Sequence, residues 1–314
     1  DYSKNSQIQI ALIGAGGMGA LFGSILQAGG LEVVLQDTNI EHVEAIQRDG
    51  LQIKGFGGDR KVQITTISDT GQIQSADLLL FQCKGNASRE AAQRVKHLTS
   101  QGAVCISFQN GLGNEEVISE AVGPKNVLGG LTAMAGFMRG PGQIHDFSRV
   151  PSYIGEMDGG ISERTELIAE KLTKAGLETH AVPNIQLEIW KKLLGNISMS
   201  ALSGLTNLKV APLMAIPELR AVSFQAMEEA LSVGLAMGLP LERDAVIKGM
   251  EMISQPGGTG DNKSSLCVDL LNQRRSEVDF IYGKVVEIGE TKGIPTPTLK
   301  TLHALVKGVE SNFS

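Results

Sequence analysis

Three cysteines, Cys83, Cys105 and Cys267, are too few and too widely spaced for a disulfide scaffold. They suit a reducing compartment, so a cytoplasmic location is expected. No C-x-x-C or H-x-x-x-H spacing occurs, and no structural metal is expected. No apolar run reaches the roughly 18 residues a membrane span needs. Residues 1–7 are polar and lack the apolar stretch of a signal peptide, so no membrane association is expected. Positive charge is short as well: 28 Lys and Arg against 34 Asp and Glu leave a formal net charge of −6. Without a basic stripe interleaved with aromatics, nucleic acid is not an expected partner.

Glycine, by contrast, is abundant at 38 residues, and hydrophobic residues make up 42%. That content supports sizeable cores, and 314 residues fit two domains better than one. The most informative glycines are Gly14, Gly16 and Gly19. They follow an apolar strand over 8–13 as G-x-G-x-x-G, with Ala15, Gly17 and Met18 between them. In that setting the first glycine permits the tight turn. The second lets backbone approach a pyrophosphate, and the third lets the helix pack on the strand. A helix over 17–27 then points free N–H groups and its positive dipole end at the phosphates. An ordinary glycine-rich turn carries the same letters. The strand before and the helix after favour a dinucleotide.

A second strand over 32–36 ends at Asp37, close to the acidic position about 20 residues beyond the glycines. A carboxylate there bonds both ribose hydroxyls of NAD and repels the extra phosphate of NADP. The alternative is a helix cap or turn before a helix starting near Glu41. Arg48 and Lys54 remain candidates to cover a phosphate.

The first half alternates strands and helices, the pattern of a parallel sheet. Helices are expected over 41–48, 87–98, 114–122 and 163–175. Strands are expected over 51–54, 61–65, 77–82, 103–108 and 178–182, with a strand pair over 142–147 and 152–155. Character changes at Pro183-Asn184, after which helices broken by Gly and Pro dominate. The expected fold is α/β: a Rossmann-like parallel-sheet domain over 1–182 and an all-helical domain over 183–314. The last helix, 297–310, places Leu299, Leu302, Leu305 and Val306 on one face.

Four stretches carry candidate chemistry. On a helix, Glu188, Lys192, Asn196 and Ser200 are four apart and form one stripe beside apolar Ile189, Leu193, Leu194 and Ile197. A lysine at such an edge can protonate a developing alkoxide, its pKa lowered by burial. A solvated polar face has the same spacing. Lys84 follows a buried strand, where open α/β sheets bind ligands. Asn110 lies in a second strand-end turn, Q-N-G-L-G, and can bond a carboxamide or carboxylate. Simple turn chemistry accounts equally well for both. Finally, Ser264 or Ser265 opens a helix and can hold a carboxylate, while Glu277 can bond a substrate hydroxyl. An N-cap plus a surface Glu is the alternative.

Together these stretches resemble the ketopantoate reductase family nearly end to end, through Gly293-Ile294-Pro295-Thr296-Pro297. The resemblance implies reduction of 2-dehydropantoate to (R)-pantoate in pantothenate and coenzyme A synthesis. It implies Lys192 as general acid and Glu277 as the acidic residue of the late helix. Asn110 and Lys84 would lie by nicotinamide and substrate, with Asn196 and Ser265 on the substrate. Ser200 stands where a second substrate-binding Asn is often found. The family norm is NADP(H), held by an Arg where this chain has Asp37, so NAD(H) is favoured here. The expected partner is a small 2-oxoacid, and a homodimer is left open. Two other readings stand beside this one: a relative acting on a different branched 2-oxoacid, and a non-catalytic dinucleotide sensor. Ser265 and Glu277 are twelve residues apart, roughly 18 Å along a straight helix. Ser265 is therefore expected to approach through a helix start, or the helix to bend.

Overall fold

The structure is a computed structural model that describes residues 7–314; the polar start of the chain, 1–6, lies outside the described residues. The chain forms two compact units. The first runs to Gln109 and resumes over Asn114–Gln186, and the second comprises Asn110–Gly113 and Leu187–Ser314. The sequence pattern changes at Pro183; the contacts change four residues later, at Leu187, and also give the 110–113 turn to the second unit.

In the first unit, β1 (Gln9–Ile13), α1 (Gly17–Ala28), β2 (Glu32–Gln36) and α2 (Ile40–Asp49) come first. Then follow β3 (Leu51–Gly55), β4 (Arg60–Val62), β5 (Thr65–Ile67), β6 (Leu78–Phe81), α3 (Gly85–Arg94), α4 (Lys96–Thr99), β7 (Val104–Ser107) and α5 (Asn114–Val122). The unit closes with β8 (Val127–Thr132), β9 (Gly136–Gly140), β10 (Gln143–Asp146), β11 (Ser152–Gly155), α6 (Glu163–Lys174) and β12 (Thr179–Ala181). The main sheet has the order β12-β11-β8-β7-β6-β1-β2-β5. Strands β5 to β8 of that row are parallel, and β11 joins antiparallel to β8.

Side chains of a strand alternate between faces, and the core divides accordingly. Ile10, Leu12, Leu78, Leu80 and Ile106 point to the face covered by α1 residues such as Phe22. Ala11, Ile13, Leu79, Phe81 and Cys105 point to the other, with Ala92, Leu98 and Ile118 from α3, α4 and α5. Burial on both faces explains why β6 is an unbroken apolar run. Each fully buried Leu or Phe contributes about 1.5–3 kcal/mol.

A second sheet, β4-β3-β10-β9, corrects two expectations. The stretch 61–65 is not one strand: β4 pairs with β3, whereas β5 pairs with β2 in the main sheet. The expected pair of 142–147 with 152–155 does not form, because β10 joins β3 and β9 while β11 joins β8 and β12. Strands β8 and β9 went unread. In β8 the apolar pattern is diluted by Gly129 and Gly130, which close packing demands. A Cβ on Gly129 would lie 2.8 Å from Met157 Sδ, and one on Gly130 2.7 Å from the Ser107 carbonyl oxygen. The helix over 87–98 also divides, into α3 and α4 at Val95.

The second unit is helical: α7 (Ile185–Thr206), α8 (Val210–Met214), α9 (Pro217–Ala236), α10 (Arg243–Ile253), α11 (Ser265–Leu271), α12 (Lys284–Lys292) and α13 (Pro297–Glu310). A π-helical segment, Asp279–Gly283, leads into α12. Trp190 of α7 is fully buried and packs on Gly234 of α9, where a Cβ would come within 3.0 Å of the indole. The Glu229 carboxylate accepts from the Thr298 and Leu299 N–H groups at 3.1 and 3.0 Å and so caps α13. On α13, Leu299, Leu302 and Val306 are buried, but Leu305 is 51% exposed. At about 100° per residue it falls some 120° round the helix from Leu299. Among the described residues no helix is long and apolar enough to cross a membrane, and no cluster of metal-ligating side chains occurs.

Candidate active site

The glycine loop between β1 and α1 shows three different constraints. Gly14 has φ +94°, and a Cβ there would collide with the Cys83 backbone at the end of β6. A Cβ on Gly19 would run into the Gly14 carbonyl oxygen. Gly16 differs: no atom lies within 4 Å of where its Cβ would be. The protein itself thus requires Gly14 and Gly19, whereas Gly16 faces open space. Gly16 also heads α1 without a side-chain cap, so first-turn N–H groups around Gly17 and Met18 lack helical partners. An uncapped helix start behind a bare glycine fits a pyrophosphate. Gly17 has a further neighbour, the Gly136 carbonyl of β9, which occupies the place of a Cβ.

Asp37, at the end of β2, braces this loop. Its Oδ2 accepts from the Ala15 N–H at 2.9 Å and its Oδ1 from the Asn39 N–H at 2.8 Å. The helix cap considered for Asp37 is supplied instead by Asn39, whose side chain accepts from the His42 N–H. His42 itself went unread and is buried against the loop. Its Nδ1 accepts from the Gly142 N–H at 2.9 Å, which leaves Nε2–H to donate to the Ala15 carbonyl at 2.7 Å. A lone histidine one turn into a helix carries no pattern that announces such a role.

Lys84 is exposed and occupies the N-cap position of α3. Behind it, the Gln109 amide donates to the Cys83 carbonyl at 2.8 Å and the Ser88 hydroxyl at 2.6 Å, tying the ends of β6 and β7 together. Glu115, in the first turn of α5, is buried. Burial pushes its carboxyl up to about 8, so it is largely protonated at neutral pH.

In the second unit, Lys192 meets Asn110, 82 residues earlier in the chain: its Nζ donates to Asn110 Oδ1 at 2.9 Å. Desolvation draws the Lys192 ammonium down to about 8, and the negative charge of Glu277 opposes that shift. Lys191, the neighbouring lysine, is solvent-exposed and pairs with Glu188 at 3.6 Å. The Asn110 turn is fixed by the π-helical segment. The Leu112 N–H donates to the Phe280 carbonyl at 2.7 Å, and a Cβ on Gly111 (φ +82°) would lie 2.5 Å from that same oxygen. The π-helical segment therefore fixes the turn that carries Asn110, the partner of Lys192, and Glu277 lies just before it.

The remaining predicted residues diverge. Asn196 stays half-buried one turn beyond Lys192. Ser200 is 1% exposed, at 3.2 Å from the Tyr282 hydroxyl oxygen, so the fourth position of the stripe faces the interior. Ser264 is the N-cap of α11 and donates to the Ser200 carbonyl at 2.9 Å, while Ser265 is exposed at the first helical position. Ser265 and Glu277 do not share a helix. Helix α11 stops at Leu271, and Gln273 takes φ +52°, so the 18 Å separation of a straight helix does not arise.

Comparison with known proteins identifies the family of the whole chain. Residues 10–159 match the family described as Ketopantoate reductase PanE/ApbA, and residues 184–310 match its C-terminal domain. A 2-dehydropantoate 2-reductase of Archaeoglobus fulgidus is 30% identical over 306 residues, covering 97% of this chain and 99% of its own. Among solved structures, a ketopantoate reductase of Ralstonia eutropha JMP134 is 30% identical with a TM-score of 0.88, covering 97% of this chain and 99% of its own. A D-mandelate dehydrogenase with NADH and anilino(oxo)acetate is 27% identical with a TM-score of 0.93, covering 98% and 99% of the two chains.

Proposed function

The chain belongs to the ketopantoate reductase family, and from that premise we propose that it reduces the keto group of 2-dehydropantoate, with Lys192 as the proton donor. The observation that carries this reading is the Lys192–Asn110 hydrogen bond beside Glu277, with a lysine whose pKa is drawn down to about 8. A general acid works best with a pKa near the operating pH. An ordinary lysine, at about 10.4, holds its proton too tightly for that task.

A bound nicotinamide dinucleotide supplies the hydride. The glycine loop would hold its pyrophosphate through backbone N–H groups, and Asp37 would accept from its ribose hydroxyls. Each Asp37 oxygen already takes one backbone hydrogen bond and retains capacity for another. A 2′-phosphate would add negative charge beside that carboxylate, so NADH is preferred. As the ketone carbon is reduced, negative charge develops on its oxygen, and Lys192 Nζ delivers a proton to that atom. Asn110 keeps the ammonium oriented, and Glu277 keeps it charged until transfer. Ser265 and Asn196 bind the substrate's polar groups.

One observation favours a second oxoacid. The Ser200 hydroxyl is turned to Tyr282, so the second substrate-binding amide of the family has no counterpart at that position. A different branched or aromatic 2-oxoacid would need no partner there, and the D-mandelate dehydrogenase likeness points the same way. The deciding assay follows NADH and NADPH oxidation with 2-dehydropantoate and with a panel of branched and aromatic 2-oxoacids. 2-Dehydropantoate should give the highest kcat/KM. A higher value for another member of the panel replaces it as substrate, and no turnover with any oxoacid sinks the reading.

A further inference from the structure

Tyr282 belongs to the π-helical segment and is fully buried. Its hydroxyl donates to the Ile197 carbonyl at 2.5 Å and accepts from the Ala201 N–H at 3.0 Å. In a helix those two groups form one rung, residue i with residue i+4. A side chain from another element therefore engages both ends of a single rung of α7, directly beyond Asn196. Its proton is committed to Ile197, so Ser200 donates to it, and burial pushes the phenol up to about 12. Side chains that enter a helical ladder bend or fix it locally.

The same segment is anchored on its other side. The Ser276 N–H and hydroxyl both donate to Glu310, and Asp279 accepts from His303 at 2.7 Å and Lys307 at 3.1 Å. Its Phe280 carbonyl holds the Asn110 turn. One stretch of chain thus ties α13, the Asn110 turn and α7 together, with Glu277 at its start. π-Helical turns are rare and occur frequently at functional sites.

We propose that Tyr282 is a positioning residue for the reaction: by clasping the Ile197–Ala201 rung, it sets where Lys192 stands relative to Asn110 and Glu277. This rests on the reading of Lys192 as proton donor. A phenol merely satisfied in a core would affect folding alone. A positioning phenol also sets the environment of the ammonium. The charge that acts on that ammonium is Glu277; on its own helix Glu188 and Lys191 pair with each other, and Lys284, against Gly113, is engaged with Glu287.

The test is Tyr282→Phe, which keeps the ring and removes only the hydroxyl. The Lys192 pKa is measured in the free protein by NMR of isotopically labelled lysine, and kcat and KM by NADH oxidation with the accepted oxoacid. We expect the pKa to rise by about one unit toward the ordinary value. In parallel, kcat should fall about tenfold or more, with the KM for NADH unchanged. A folded variant with unmoved pKa, or with a moved pKa and wild-type kcat, overturns the proposal. If Tyr282→Phe does not fold, Ser200→Ala removes one of the three contacts. A smaller upward shift then supports the proposal, and an unmoved pKa overturns it. The two readings fail separately: normal turnover in Lys192→Ala removes the donor, whereas an unmoved Lys192 pKa in Tyr282→Phe removes only the positioning role.

Discussion

The glycine loop and the lysine cluster perform comparable tasks by opposite means. In the loop, on the proposed reading, binding falls to the backbone: Gly14 and Gly19 have no room for a Cβ, and nothing in the protein fills the space at Gly16. In the cluster the proposed chemistry belongs to side chains, and Lys192, Asn110 and Glu277 come from three distant stretches. Substitutions should therefore fail differently in the two places. Loop variants lose fold or dinucleotide, while cluster variants lose the chemical step.

The largest effect belongs to Lys192. Lys192→Ala should lower kcat by roughly 10²–10⁴, the usual range for general acid catalysis, with dinucleotide binding nearly intact. Lys191→Ala, which breaks only the exposed pair with Glu188, should stay within a few-fold of the native rate. The donor acts only while protonated, so oxoacid reduction should decline above a pH of about 8 and the reverse oxidation should rise there. Measured pH–rate profiles in both directions check this. An alkaline limb that survives in Lys192→Ala would assign it to another group.

Next come the glycines. Gly19→Ala forces a methyl into the Gly14 carbonyl and should cost about 1–3 kcal/mol of stability. Gly16→Ala meets nothing in the protein and should melt like the native chain, while its dinucleotide Kd rises tenfold or more. Calorimetry and dinucleotide titration separate the two. If Gly16→Ala binds dinucleotide normally, the phosphate is not where Gly16 opens.

How far these regions were legible follows from the same contrast. Backbone constraints leave short local patterns, and β2, α5 and α13 were read with their observed limits. Packing constraints do not. Strand β8 was hidden by Gly129 and Gly130, which exist because neighbouring atoms fill the space of a Cβ. The end of α11 carries no glycine or proline; Gln273 adopts the left-handed conformation that usually marks a glycine stop. His42 and Tyr282 lie in no motif, and their roles depend on partners 27 to 100 residues away. Lys192, by contrast, stood out through its stripe together with the family resemblance, but that it bonds Asn110 was not legible.

Glu115 sharpens the comparison, because it is a buried titratable side chain in the unit where backbone dominates. The folded protein holds a proton up to a pH of about 8 that the unfolded chain releases near its ordinary value. The stability this group contributes is therefore fully present at low pH and declines as pH rises through that window, by at most about 1.4 kcal/mol per unit. Glu115→Gln should flatten the decline and make the protein about 1–3 kcal/mol more stable than native at pH 8. Denaturant midpoints at pH 5 and 8 measure it. Equal slopes for the two proteins would mean that the carboxyl is ionised in the fold.

The smallest expected effect tests the charged side chain that braces the loop. Asp37 holds Ala15 through Oδ2 and Asn39 through Oδ1, so it shapes the loop as well as reading the ribose. Native enzyme should favour NADH by at least tenfold in kcat/KM, about 1.4 kcal/mol of transition-state discrimination. Asp37→Arg removes the repulsion toward a 2′-phosphate and supplies a bidentate donor, and should reverse the preference toward NADPH. It also leaves the Ala15 and Asn39 N–H groups without their carboxylate, so some activity with both cofactors should be lost. Asp37→Asn distinguishes the two contributions. Its amide oxygen can still accept from one of those N–H groups, and its neutral charge should narrow the preference without reversing it. A native preference for NADPH would leave Asp37 as a brace of the loop and nothing more.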